Sequence, residues 1–165
     1  MRVSKLLIAS AAVLGVMSTT GQAQDTGRSF SLKIHRLAQT NNLDKVDAFG
    51  SDKADFFARI WINGREMGKS KTVSTDDGPA DWMWNVNTGG RYINIRIRLM
   101  DDDGGIENKD DHVDINPLPD KKDLDLVFDT ETGQITGDMR GQRGMLIHAA
   151  GEGDDMRGQL WFSLD

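Results

Sequence analysis

The stretch of sequence that decides the fold is "YINIRIRLMDDDGGIENKDDHVDI", residues 92–115. Its first half alternates strictly between apolar and polar side chains, with Ile93, Ile95, Ile97 and Leu99 on one face. A period of two residues is that of a β-strand with one face buried and the other exposed to solvent. The sequence therefore predicts a half-buried strand that ends close to residue 99.

The second half of the same stretch is strongly acidic. Seven carboxylates lie between Asp101 and Asp114, and only Lys109 offsets them. Like charges at this density repel one another, so a folded protein retains them either in a solvated loop or around a bound cation. An EF-hand does not fit the spacing, because Ile106 replaces the glycine at the sixth position and His112 replaces the glutamate at the twelfth.

The strand alternation recurs along the chain. It is clear in "SFSLKIH", residues 29–35, and further strands are predicted at residues 56–62, 66–73, 82–86, 124–128, 134–138, 145–148 and 159–164. Turn-forming sequences separate these segments, among them Asn63-Gly64, which is typical of a two-residue hairpin. No stretch shows a sustained helical period. The predicted fold is all-β, an eight-stranded antiparallel β-sandwich.

The first 23 residues have the pattern of a signal peptide. Two basic residues, Arg2 and Lys5, precede an apolar run over residues 6–17, and small residues follow up to Ala23. The apolar run is too short to span a bilayer comfortably. We therefore predict a signal peptide over residues 1–23, a single domain over residues 24–165, and export of the protein to the periplasm or the medium.

Composition limits the partners of this domain. The chain has a formal net charge of -6, and loss of the two basic residues in the leader would make it -8. An acidic domain is a poor candidate for binding nucleic acid. The chain has no cysteine, so no disulfide and no lipid-anchored cysteine can form. No transmembrane segment is predicted after the leader.

A second acidic loop lies between the first two predicted strands. The segment "LDKVDAFGSDKADFF", residues 43–57, contains four aspartates. Loops that are distant in sequence meet at the ends of a β-sandwich, so the two acidic loops are expected to lie together. Clustered carboxylate oxygens are hard ligands of the kind that calcium prefers.

At three places the sequence resembles a C2 domain, the calcium- and lipid-binding β-sandwich. The segments are "DAFGSDKADFFARI", "KSKTVSTDDGPADWMWN" and "IRLMDDDGGIENKDDHVDI", which correspond to its first, second and third loops with their flanking strands. The similarity extends from about residue 30 to about residue 115. Both the first and the third loop are about two residues longer than is usual in that family, and Phe56 replaces an expected proline.

The resemblance implies a set of calcium ligands and a partner. In the first loop, Asp47 and Asp55 match the family pattern, with Asp52 competing for the second role; in the third loop, Asp101, Asp103 and Asp111 match it, with Asp110 as an alternative to Asp111. The implied cofactor is Ca²⁺, and the implied partner is a phospholipid membrane surface or another protein. Phe49, at the tip of the first loop, would insert at the membrane.

The sequence gives little support for catalysis. It has no nucleophile elbow, no His-x-x-x-His pair and no cysteine, so the protein is predicted not to be an enzyme. The alternative function is a sandwich that binds a carbohydrate or a protein without calcium, for which exposed tryptophans would be the evidence. A basic strip over neighbouring strands, formed by Arg65, Lys69, Lys71, Arg96 and Arg98, is either a lipid-headgroup surface or a salt-bridged solvent face.

Overall fold

The structure is a computed structural model that describes residues 28–40, 53–102, 110–153 and 156–165. These residues form strands only, in antiparallel pairs. The strands are β1 (Arg28–Gln39), β2 (Asp55–Ile62), β3 (Arg65–Lys69), β4 (Val73–Ser74), β5 (Asp77–Thr88), β6 (Tyr92–Asp101), β7 (Asp111–Val113), β8 (Leu124–Asp129), β9 (Gln134–Gly137), β10 (Gly141–Gln142), β11 (Ile147–Ala150) and β12 (Gly158–Leu164).

The strands form two sheets that pack face to face. One sheet has four strands in the order β11-β12-β1-β5. The other has eight, in the order β10-β9-β8-β6-β2-β3, with β4 paired to β2 and β7 paired to β6. The core between the sheets includes a T-shaped contact of Phe30 with Phe128, whose ring centroids are 5.1 Å apart. The predicted all-β sandwich is confirmed.

The strand predicted at residues 92–99 is β6, and it lies at the centre of the larger sheet. In β6, every residue of the set Ile93, Ile95, Ile97 and Leu99 is 2% exposed or less, whereas the polar residues between them face solvent. β6 pairs with β2 on one side and with β7 and β8 on the other. The alternating pattern therefore predicted both the strand and its buried face.

Several strand boundaries differ from those predicted. The segment predicted at residues 66–73 is divided into β3 and β4, and the segment predicted at 145–148 begins two residues later, as β11. Met145 instead closes a turn, because its amide donates to the carbonyl of Gln142. The very short strands β7 and β10 were not predicted, since two or three residues are too few to show a period.

The strands leave two sets of loops at opposite ends of the sandwich. At one end, which we call the acidic end, β1 and β6 finish and β2, β5, β7 and β12 begin. At the other end, which we call the arginine end, β1 and β6 begin and β8 and β12 finish. Both predicted acidic loops connect strands at the acidic end.

Candidate functional site

Three of the six predicted calcium ligands lie on adjacent strands at the acidic end. Asp55 is the first residue of β2, Asp101 is the last residue of β6, and Asp111 is the first residue of β7. In the sheet, Asp101 pairs with Phe56, the neighbour of Asp55, and on its other side with Asp111 itself. The structure therefore places residues from both of these acidic loops on neighbouring strands.

Asp101 is the buried member of this group. It continues the inward-facing set of β6 and is only 2% exposed. Its Oδ1 accepts a hydrogen bond of 2.6 Å from the backbone amide of Asp55. The carbonyl of Asp55 in turn accepts a hydrogen bond of 2.9 Å from the amide of Asp102. A carboxylate at this depth is stable only with donors or a cation beside it, which the adjoining strand end supplies in part.

The other predicted ligands lie outside the described residues. These are Asp47, Asp52 and Asp103, and the same is true of Phe49 at the predicted loop tip. Within the described ranges, no group of three or more histidine, cysteine, aspartate or glutamate side chains is arranged to hold a metal ion. Asp55, Asp101 and Asp111 thus form one part of the predicted ligand set, and the calcium site stays a prediction.

The position of Asp111 bears on the choice between it and Asp110. Asp111 occupies the ladder position opposite Asp101, whereas Asp110 precedes the strand and is exposed. Asp102, on the other side of the same loop, accepts from Lys69 Nζ at 3.3 Å and from Thr72 Oγ1 at 3.4 Å. Of Asp110 and Asp111, Asp111 is therefore the one that pairs with Asp101 in the sheet.

The chemistry of these side chains fits calcium. All three are carboxylates, which are hard oxygen donors, and they project from strand ends next to loops that contain further aspartates. Calcium takes six to eight oxygen ligands with flexible geometry, a requirement that acidic loops meet well.

A carboxylate that the sequence analysis counted within the acidic run has a different role. Asp114 is 2% exposed; its Oδ1 accepts from the amide of Asn116 at 2.9 Å and its Oδ2 from the amide of Gly153 at 2.7 Å. Its carbonyl also accepts from the amide of Gly158 at 2.8 Å. Asp114 therefore fastens the connection between β11 and β12 to the acidic end.

The predicted basic strip is largely a salt-bridged face of the larger sheet. Arg96 contacts Asp125 at 2.7 Å, and Arg98 contacts Asp123 at 2.7 Å. Arg96, Arg98 and Asp125 line a groove of about 770 Å³ together with Trp61. Since each of these guanidinium groups faces a carboxylate, the structure favours the salt-bridged interpretation for this part of the strip.

Asp123, on that face, contacts both Arg98 and His112. Burial opposes its ionisation, but hydrogen bonds with His112 and Arg98 outweigh burial and lower the pKa of Asp123 to about 2. The distance from His112 Nε2 to Asp123 Oδ1 is 2.6 Å. The residue after the predicted ligand Asp111 is thus tied to the segment that leads into β8, which fixes the start of β7 on the sheet.

Two of the four tryptophans lie on the core side of β5. Trp82 is 7% exposed, and Trp84 packs against the core from the same face of β5. Trp82 is therefore buried, and Trp84 is partly buried.

The other two tryptophans are covered by neighbouring planar groups. The ring of Trp61 lies next to the guanidinium groups of Arg59 and Arg98, at 5.4 and 5.2 Å. Trp161 stacks on His148 with ring centroids 4.4 Å apart. Trp61 lines the groove on the larger sheet, but the described surface has no row of exposed tryptophans of the kind that would favour the carbohydrate-binding alternative.

Comparison with known proteins identifies similar folds but no similar sequences. No protein-family model matches the chain, and no curated protein matches it. The tandem C2 domains of Extended-Synaptotagmin 2 align with 99% of this chain and 48% of theirs, with a TM-score of 0.51 and 11% identity. A structure described as that of a C2 domain aligns with 84% of this chain and 98% of its own, with a TM-score of 0.50 and 9% identity.

A third structure contains a longer protein. Human GIVD cytosolic phospholipase A2, in complex with an inhibitor and terbium chloride, aligns with 84% of this chain at 14% identity and a TM-score of 0.47. The chain spans only 17% of the length of that enzyme. No helix in the described part of the chain has the length and apolar character needed to cross a membrane.

Proposed function

The chain has the fold of a C2 domain, and on that basis we propose that it is a calcium-binding module whose acidic end associates with anionic phospholipid when calcium is bound. The observation that carries this proposal is the side-by-side placement of Asp55, Asp101 and Asp111 on three adjacent strand ends. Asp101 is the strongest single element, because it is buried where the acidic loop between β1 and β2 ends and the one between β6 and β7 begins.

Five carboxylates would hold the ion. Asp101 and Asp111 contribute from the strand ends, Asp47 and Asp103 from the loops, and either Asp55 or Asp52 fills the remaining position. Bound calcium would neutralise these carboxylates and offer coordination positions to the phosphate oxygens of a lipid. The proposed mechanism is electrostatic attraction through the bound ion and involves no catalytic step.

The chain's own residues make this association conditional. With its carboxylates ionised and no cation bound, the acidic end repels an anionic membrane. Lys69 adds a positive charge beside the site, but Asp102 lies 3.3 Å from it and offsets that charge. The local residues therefore oppose lipid binding until a cation is present.

We also propose that residues 1–23 direct export of the protein and are then removed, so that the mature domain meets the high calcium concentrations found outside the cytoplasm. The basic start, short apolar run and small residues of this leader support the proposal. Intact-mass analysis of the protein recovered outside the cytoplasm should show a chain that begins at Gln24. Recovery of the full-length chain from the cytoplasm would contradict it.

Sedimentation with vesicles tests the proposed function. The protein is mixed with vesicles of phosphatidylserine and phosphatidylcholine, in EDTA and in millimolar calcium, with magnesium as a control. Calcium should increase the sedimented fraction, and Asp101→Asn should abolish that increase. Asp120→Asn is the matched control, because Asp120 is an exposed loop residue with φ of 68°, a conformation that asparagine accepts well. An undiminished calcium response in Asp101→Asn would refute the assignment of the site.

A further inference from the structure

The arginine end of the sandwich carries a second set of charges that the calcium proposal does not use. Four arginines lie there: Arg28 at the start of β1, Arg65 after the first hairpin, Arg91 before β6, and Arg143 in the turn that follows β10. The chain as a whole is acidic, with a formal net charge of -6. These four positive charges therefore lie at the end opposite the acidic loops.

Thr130 holds two of these arginines through neutral oxygens. Arg28 Nη1 donates to Thr130 Oγ1 at 3.0 Å, and Arg143 Nη2 donates to the Thr130 carbonyl at 3.1 Å. A hydroxyl and a carbonyl position a guanidinium group without cancelling its charge. The structure thus fixes two cations at this end and leaves their charge available to a ligand.

Carboxylates at this end compensate only part of the charge. Asp129 and Glu131 both pair with Arg91, at 2.8 and 2.9 Å. Within the described residues, Arg28, Arg65 and Arg143 form no ion pair with a carboxylate. The nearby Lys33–Asp165 pair, at 2.9 Å, balances itself. The net charge of these side chains at the arginine end is therefore positive.

Exposed apolar side chains accompany these arginines. Met145 is 53% exposed and Leu146 is 60% exposed, directly after Arg143 in the chain, and Tyr92 at the start of β6 is 61% exposed. Adjacent exposed apolar residues next to arginines are typical of a surface that binds a membrane or another protein.

The turn that carries these residues is firmly held. The amide of Met145 donates to the carbonyl of Gln142 at 3.0 Å, and Gly144 has φ of 76°, as the third position of a type II turn requires. The amide of Gly144 also donates to the carbonyl of Leu164 at 2.8 Å, and the amide of Arg143 donates to the carbonyl of Gly133 at 2.7 Å. The turn would therefore lose little conformational entropy when it binds a surface.

We propose that the arginine end is a second membrane-docking surface, which binds anionic phospholipid bilayers without calcium. Arg28, Arg65 and Arg143 meet the negative headgroups, and Met145 and Leu146 enter the interface beside them. The combination of cations with adjacent apolar side chains matches a bilayer, whose charged surface covers an apolar interior. This surface is independent of the calcium site at the other end.

The test is sedimentation in EDTA, where the acidic end cannot bind calcium. The wild-type protein should sediment with vesicles of equal parts phosphatidylserine and phosphatidylcholine at low salt, but not with phosphatidylcholine alone. Arg143→Gln should weaken binding about fivefold, the contribution of one arginine at an anionic surface. The double variant Met145→Ser, Leu146→Ser should weaken it about tenfold.

Two further variants separate this surface from others. Arg96→Gln removes an exposed arginine that is paired with Asp125 on the sheet face, and it should bind like the wild type in EDTA. Asp101→Asn should also bind normally in EDTA, so failure of the calcium proposal and failure of this one are distinguishable. Because Arg143 also contacts Thr130, thermal melting of Arg143→Gln checks that the fold is intact, and the serine variant changes exposed side chains only.

Absence of wild-type sedimentation in EDTA would overturn the proposal. So would binding that Arg143→Gln and the serine variant leave unchanged, or equal binding to phosphatidylcholine alone. Loss of binding in the serine variant together with retained folding would establish the arginine end as the contact surface.

Discussion

The backbone amide of Asp55 donates a 2.6 Å hydrogen bond to the buried carboxylate of Asp101. This single contact joins the end of the loop between β1 and β2 to the beginning of the loop between β6 and β7, although the two residues are 46 positions apart in sequence. Asp101 therefore has two roles, as an acceptor that holds the strand ends together and as a proposed calcium ligand.

The two roles are separable by substitution. Asp101→Asn and Asp101→Ala both remove the negative charge, but only asparagine keeps an oxygen that can accept from Asp55. We expect Asp101→Ala to be less stable than Asp101→Asn by about 1–2 kcal/mol, the cost of leaving a partly buried amide without its acceptor. Urea unfolding in EDTA measures the difference. Equal stability of the two variants would mean that the hydrogen bond does not contribute.

Acid should destabilise the protein partly through Asp123. Hydrogen bonds with His112 and Arg98 overcome burial and lower the pKa of Asp123 to about 2, below the value of about 4 for an unfolded aspartate. The unfolded state therefore takes up a proton first, and this stabilisation is lost as pH falls from about 4 to about 2.

Urea unfolding as a function of pH measures this contribution. Asp123→Asn should lower the stability at neutral pH by about 2 kcal/mol and reduce the loss of stability between pH 4 and 2. Asp125→Asn is the control, since Asp125 is half exposed and its ion pair with Arg96 is at the surface. A wild-type slope in Asp123→Asn would show that other carboxylates account for the acid sensitivity.

The connection between β11 and β12 depends on a close backbone approach at Gly151. A Cβ at this position would overlap the carbonyl oxygen of Asp114, and backbone atoms cannot move aside cheaply. Gly151→Ala should therefore destabilise the protein by about 2 kcal/mol or more. Gly90→Ala is the control, because a Cβ there meets its nearest atom at 3.6 Å. Thermal melting that ranks the two variants equally would contradict this account.

The tryptophans provide a test against the carbohydrate-binding alternative. Trp82 and Trp84 face the core, and Trp161 stacks on His148. Soluble oligosaccharides should therefore leave the tryptophan fluorescence unchanged, with acrylamide as the positive control for quenching. Saturable quenching by an oligosaccharide would revive a sugar-binding function and locate its site near an accessible ring.

Much of the fold could be predicted because period-two alternation is a local property. Phe30, Leu32 and Ile34 are buried as predicted, since each lies on the core face of β1. After Ile34 the register shifts through a bulge before Arg36, so that Leu37 returns to the core out of phase with the earlier residues. A bulge of this kind depends on the paired strands and leaves no clear mark in the sequence.

The candidate site was predictable to a lesser extent. Asp55, Asp101 and Asp111 were singled out from acidic loops and a family resemblance, and the sheet places them on adjacent strands. Asp114 was counted in the acidic run without a role of its own, because its role depends on the amide of Gly153, 39 residues away. The arginine end escaped prediction for the same reason, since Thr130 gathers Arg28 and Arg143 from segments that are far apart in sequence.

Thermal melting with and without calcium tests the central claim most directly. Calcium at about a hundred times its dissociation constant should stabilise the folded state by about 2.7 kcal/mol, which raises the midpoint by several degrees. Magnesium should have a much smaller effect, Asp101→Asn should lose the calcium shift, and Asp120→Asn should retain it. An unchanged midpoint of the wild-type protein in several millimolar calcium would contradict the account and leave the acidic end as a solvated edge of the sandwich.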